Sequence, residues 1–209
     1  MCMNYRLFFL DKSKLTQGVI YGGLSSAASL SLKFMTIPIL ARLLSPEEFG
    51  VVAIALTLMG FVVMAIGKGG LGAALLYYEN TDPGQYVHTA FCVNLIVGIL
   101  LAVLFYENAG LLADFSGVPA AKPYIEVISF LIPLLLLEQI ARSLLLLKMQ
   151  YNKIASVMFL SSLLGGITAL AMAYSGAGAW SLVWQQVVYE SVLMIGFFYA
   201  ARYIPKFEF

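Results

Sequence analysis

Six apolar runs, each about as long as a bilayer's hydrocarbon core is thick, limit what this chain can fold into. They cover residues 18–40, 49–67, 86–105, 124–147, 154–174 and 180–201. A helix needs about 20 mainly apolar residues to cross the ~30 Å of hydrocarbon. In that medium every backbone N–H and C=O must find its partner inside a helix or a closed barrel. The runs are continuous and do not alternate with period two, so helices are expected. The fold class that follows is an all-α integral membrane protein with six transmembrane helices over residues 18–201. Composition agrees: 61% of the 209 residues are hydrophobic and 11% charged, against roughly 45–50% and 25% in soluble domains. A chain of this size cannot hide so much apolar surface from water, which excludes a soluble enzyme and a disordered regulator. The net charge of +1 offers no field for nucleic acid.

The breaks between runs carry turn chemistry. Ser45-Pro46-Glu47-Glu48 reads as a helix stop followed by a capping turn. Thr81-Asp82-Pro83-Gly84, Gly117-Val118-Pro119 and Ser175-Gly176-Ala177-Gly178 read as three more turns. Basic residues set the expected orientation. With the N-terminus in the cytoplasm, Arg6, Lys12, Lys14, Lys68, Lys148, Lys153, Arg202 and Lys206 lie inside, and only Arg42 and Lys122 lie outside. Both termini are therefore expected inside, with 1–17 a cytoplasmic segment and 202–209 a cytoplasmic tail. Leu7 to Leu10 is too short an apolar stretch for a cleavable signal, so the first span is expected to serve as an uncleaved anchor. Connections of about twenty residues or fewer leave no room for an extramembrane catalytic domain.

Function is then expected from polar groups at membrane depth, where each ionisable residue costs ~2.5–3.5 kcal/mol on insertion scales. Four stand out: Lys33 in the first run, Glu138 and Arg142 in the fourth, and Glu190 in the sixth. Glu138 and Arg142 are spaced i,i+4, acid first, which puts them on one helix face. They read either as a helix-internal salt bridge or as a cavity-lining pair. Lys33 shares a face with Ser25, Ser26, Ser29 and Thr36. It reads as a partner for an acid of another helix, such as Glu190, or as a point charge for a phosphate-bearing headgroup. Gln186 and Glu190 lie one turn apart on one helix face, and Glu190 reads either as a hydrogen-bonding group toward another helix or as an ion-coupling acid. Asn94 reads as a packing hydrogen bond. Pro38 and Pro133 predict kinks. A lone His88 and the two cysteines Cys2 and Cys92 supply no metal set or disulfide framework. Neither nucleophile–base pairs nor D-x-x-D acids occur, so no enzyme, metal or cofactor is expected.

Residues 37–50, Ile-Pro-Ile-Leu-Ala-Arg-Leu-Leu-Ser-Pro-Glu-Glu-Phe-Gly, resemble the first helix hairpin of the polysaccharide-biosynthesis flippases. These are the Wzx-like, O-antigen and exopolysaccharide exporters of the MOP superfamily, which also holds the MATE drug exporters. Residues 67–75, Gly-Lys-Gly-Gly-Leu-Gly-Ala-Ala-Leu, look like the family's turn after helix 2, and residues 176–183, Gly-Ala-Gly-Ala-Trp-Ser-Leu-Val, like its start of helix 6. The resemblance implies two six-helix lobes around a central cavity, of which this chain supplies the N-terminal one. It implies residence in the bacterial inner membrane and movement of undecaprenyl-diphosphate-linked oligosaccharides for lipopolysaccharide, O-antigen or exopolysaccharide synthesis. The partners implied are that lipid-linked oligosaccharide, membrane lipids, and a second six-helix lobe or a second copy. Basic cavity residues are implied for the diphosphate, and Lys33 and Arg142 are the nominees. Two alternatives stand beside this reading. One is a lobe of a MATE-like cation-coupled drug exporter relying on Glu138 or Glu190; the other is a truncated, non-transporting membrane remnant.

Overall fold

Ser45 stops one helix and starts the next through reciprocal hydrogen bonds of its own. In a computed structural model, which describes residues 31, 35–62, 64 and 83–202, the Glu48 backbone N–H donates to Ser45 Oγ at 3.3 Å. The Ser45 N–H donates back to Glu48 Oε2 at 2.7 Å. With Pro46 in the first helical position this is a complete capping box. Upstream lies a helical stretch, α1, over residues 35–43. Downstream runs α2, Pro46–Val62. Then follow α3 (Pro83–Glu107), α4 (Ala109–Phe115), a 3-10 turn (Pro119–Ala121), α5 (Lys122–Ser129), α6 (Leu131–Leu147), α7 (Tyr151–Tyr174) and α8 (Trp180–Ala201). No strand occurs among the described residues.

Three of these helices are long and apolar enough to cross a membrane: α7, α8 and the Val87–Glu107 part of α3. The predicted fourth span, 124–147, is broken. Its two halves, Pro119–Ser129 and Leu131–Leu147, are bent by 42° and form a fourth crossing if taken as one span. Pro133 supplies the reason. It has no N–H to donate four residues back to Ser129, and the chain tightens at Phe130, whose N–H donates to the Val127 carbonyl at 3.3 Å. Most of the first predicted span, the end of the second, and Lys33 lie outside the described residues.

The connection before α5 also holds more than the turn predicted there. Its short helix α4 buries Ala109 and Ala113 and turns Leu111 and Phe115 outward, so small residues seat it on the bundle. A Schellman closure ends it at Gly117, with the Val118 N–H on the Ala113 carbonyl at 3.1 Å.

Close backbone approach holds the helices together, as expected where lipid removes the hydrophobic drive for helix pairing. α7 and α8 run antiparallel. A Cβ at Gly165 would stand 3.1 Å from the Gln185 carbonyl oxygen, and one at Gly196 would stand 2.6 Å from Val157 Cγ1. α3 meets α6 the same way: a Cβ at Gly98 would lie 2.8 Å from Pro133 Cα. Asn94 of α3 donates from Nδ2 to the Leu136 carbonyl at 3.4 Å, the packing role read for it from sequence. One apolar core joins α2, α4, α5 and the start of α8 through Val52, Ala113, Ile125, Ile128 and Val183. Another joins α3, α6 and the end of α8 through Phe91, Ile140 and Phe198.

Gly178, at φ +53°, lies against the Glu48 carboxylate and so ties the start of α8 to the capping box of α2. An alanine there must take the left-handed conformation and displace the carboxylate. We expect Gly178→Ala to cost ~2–4 kcal/mol, the sum of a left-handed penalty and a lost cap. Gly176→Ala, at φ +81° with nothing within 4 Å, should cost only the backbone part, ~1–2 kcal/mol. Thermal unfolding in detergent compares the two, and equal losses would show that the Glu48 contact contributes nothing.

Candidate functional site

Two carboxylic acids are buried together between α6 and α8. Glu138 is 7% exposed and Glu190 5%. They line one pocket of about 190 Å³ with Arg142, Gln139 and Tyr189, closed on its apolar side by Leu135, Met158 and Phe197. The volume has room for several waters. Glu190 stands ten residues from Trp180 and eleven from Ala201, about 15 Å from either end of its helix at 1.5 Å per residue. Glu138 lies a similar distance from the end of α6. The acids therefore sit at mid-helix, where an unpaired charge is most expensive.

What surrounds them lowers that cost. Gln186 Nε2 donates to Glu190 Oε1 at 2.7 Å, one turn back along α8. The Arg142 guanidinium, exposed and one turn on from Glu138, attracts the Glu138 carboxyl electrostatically. Glu138 and Arg142 do not close the helix-internal salt bridge that their spacing allows. The ion pair that does close among the described residues is Lys122–Glu126, at 3.8 Å. Both residues line the pocket instead. Arg142 is left with its fork of donors available to an anion.

A second, smaller cavity lies beside the first. It measures about 20 Å³ and is lined by Thr36, Ser162, Gly165, Gln185, Gln186 and Tyr189, enough space for one water. Ser162 Oγ is buried there without a hydrogen-bond partner, which a water would satisfy. Tyr189 borders both cavities, so a polar track runs from Thr36 and Ser162 through Gln186 and Glu190 to Glu138 and Arg142.

Four of the five candidate residues read from sequence thus come together: Glu138, Arg142, Glu190 and Gln186. The fifth, Lys33, lies outside the described residues. Sequence reasoning missed Gln139, Ser162 and Tyr189. Tyr189 only adjoins Glu190 in sequence, with no spacing that marks it, and a serine inside an apolar helix has no pattern to distinguish it. Among the described residues no group of three His, Cys, Asp or Glu converges as metal ligands.

Comparison with known proteins shows the family. A family model described as "Polysaccharide biosynthesis protein" matches residues 39–209. The chain is 40% identical over 200 residues, 96% of its length, to the succinoglycan biosynthesis transport protein ExoT of Rhizobium meliloti (strain 1021), of which it covers 40%. It is 20% identical over 200 residues, 95% of its length, to the lipopolysaccharide biosynthesis protein WzxC of Escherichia coli (strain K12), again covering 40%. The chain therefore spans about two fifths of the length of these curated relatives. No solved structure matches it. With a family model over more than four fifths of its residues, a relative at 40% identity and membrane-length apolar helices, this is a multi-pass membrane protein that belongs to the polysaccharide biosynthesis protein family.

Proposed function

We propose that the chain forms the N-terminal, six-helix lobe of a flippase. The flippase carries undecaprenyl-diphosphate-linked oligosaccharides across the bacterial inner membrane for polysaccharide synthesis, and acts as a carrier, not an enzyme. The observation that carries this reading is the polar pocket at mid-helix, with Arg142 exposed at its mouth, in a chain 40% identical to a transport protein of succinoglycan synthesis. A phosphate-bearing substrate needs a cation with free donors at depth, and Arg142 offers a planar fork for it. Buried Thr36 lines the adjoining cavity, and Lys33 is proposed as the second cation that meets the substrate. A second six-helix lobe, or a second copy, closes the cavity on the open side.

Charge distribution supports an orientation with both termini inside. Lys148, Lys153 and Arg202 mark one end of the described bundle with no acid beside them. At the other end Arg42 and Lys122 are outnumbered by Glu47, Glu48, Glu107, Asp114 and Glu126. The more basic end faces the cytoplasm. The paired carboxyls favour a second element of mechanism: Glu138 and Glu190 hold the coupling cation or proton while Arg142 meets the substrate.

Complementation tests this. In a strain lacking its polysaccharide flippase, the intact gene should restore surface polysaccharide. Arg142→Ala should lower it roughly ten- to a hundredfold, the loss of one charge-assisted contact of ~1.5–3 kcal/mol. Arg142→Lys should recover part of it by keeping the charge and losing the fork. Full export by Arg142→Ala at normal protein levels would remove the substrate role.

A further inference from the structure

A second cationic site lies at the basic end of the bundle and shares no residue with the mid-helix pocket. The first turns of α7 and the last turn of α8 enclose an open groove of about 760 Å³. Asn152, Lys153 and Ser156 line it from α7; Phe198, Tyr199 and Arg202 line it from the end of α8. We propose that this groove binds the phosphate of an anionic phospholipid, with an acyl chain lying along its apolar wall.

Lys153 is fixed in place for the task. Its Nζ donates to the Ala200 carbonyl at 3.3 Å, which uses one of the three donors of an ammonium. The cation is held at the C-terminus of α8, where the helix dipole favours it, and two of its donors remain for a ligand. Arg202 is placed at a cost. It caps α8 in the left-handed conformation, φ 51° and ψ 38°, a position that helices usually fill with glycine because a side chain there is strained. From there it lines the groove together with Lys153. Tyr199, 86% exposed in the last turn of α8, is of the residue type enriched at the border of lipid headgroups. Among the described residues no acid lies at this end to compete for either cation, and anionic headgroups gather at such basic surfaces.

The test uses the whole protein in detergent, with retained lipid counted by native mass spectrometry. Wild type should hold phosphatidylglycerol and release phosphatidylcholine. Lys153→Ala combined with Arg202→Ala should reduce retained phosphatidylglycerol roughly tenfold, as expected for losing charge-assisted bonds to phosphate. Lys122→Ala, at the opposite end, should change nothing. Arg202→Gly separates fold from site: it should raise the melting temperature by relieving the cap and still weaken lipid retention. Millimolar inorganic phosphate should leave the lipid bound. Unchanged retention by the double variant, an equal loss in Lys122→Ala, or displacement of the lipid by inorganic phosphate would each overturn the proposal.

Discussion

Gly196→Ala should strip the protein of its folded state, and Val157→Ala should give it back. A Cβ at Gly196 would stand 2.6 Å from one methyl of Val157, 3.3 Å from the other and 3.5 Å from the Val157 Cβ. The contact with Cβ is ordinary, but the two methyls are too close, and a helical valine is held to one strongly preferred χ1 rotamer, so the helices must shift. α7 and α8 are the most intimate pair in the bundle. In lipid their association rests on van der Waals contact, not on exclusion of water, and a forced separation loses that contact along the whole interface. Overpacking a close-packed site costs ~1–3 kcal/mol where the surroundings can yield, and here Gly165 pins the same two helices two to three turns away. Gly196→Ala should therefore cut folded protein, read as monodisperse material in detergent, by roughly tenfold or more. The double variant should recover most of it, because the added methyl takes the volume the valine vacates. Gly50→Ala and Gly60→Ala, where a Cβ meets nothing within 4 Å, serve as controls. Equal tolerance of alanine at positions 50, 60 and 196 would mean that α7 and α8 do not approach in this way.

How legible the structure is from sequence differs element by element, for physical reasons. The limits of α8 are legible to the residue. Gly176 and Gly178 both need positive φ and stop the chain before Trp180, and the apolar run ends at Ala201. The capping box at Ser45 is legible because both of its hydrogen bonds run between residues three apart in sequence. The break at Phe130 is half legible. Pro133 announces a kink, but its place depends on which carbonyl is left without a donor and how the chain tightens around it. The helix α4 is hidden because seven residues carry too little periodicity to show; the stop at Gly117 is its only local mark.

The site shows the same division. Mid-helix ionisable groups are conspicuous because their cost at depth is large, which is why Glu138, Arg142 and Glu190 can be picked out from a single sequence. Which of them meet is a different matter. The i,i+4 spacing of Glu138 and Arg142 invites a pair within α6, yet that pair does not close, and Glu138 instead shares its pocket with Glu190 of α8. Tertiary proximity of α6 and α8 decides this, and nothing in either helix alone encodes it. The small residues that let α7 and α8 touch, Gly165 and Gly196, also bring Ser162 and Tyr189 to the polar track.

If the two acids act as one unit, Glu138→Ala and Glu190→Ala should each lower surface polysaccharide by well over tenfold, and the double variant should be no worse than either. The reasoning is specific to a shared pocket. Removing Glu190 takes the acceptor from Gln186 Nε2 and leaves Glu138 facing Arg142 without its neighbour. Removing Glu138 leaves Glu190 without the charge arrangement that the pocket was built around. In either case one partner survives with nothing to work with, so its later loss adds little. Failure to insert does not account for such a result, since deleting an ionisable group at mid-helix lowers the cost of crossing the bilayer by ~2.5–3.5 kcal/mol, and a fluorescent tag reports the protein level directly. Glu190→Gln sharpens the experiment. It keeps the side-chain volume and an oxygen for Gln186, and removes only the acid. Export by Glu190→Gln near the wild-type level would assign Glu190 to packing alone, whereas losses that simply multiply in the double variant would give the two acids separate tasks and divide the pocket between them.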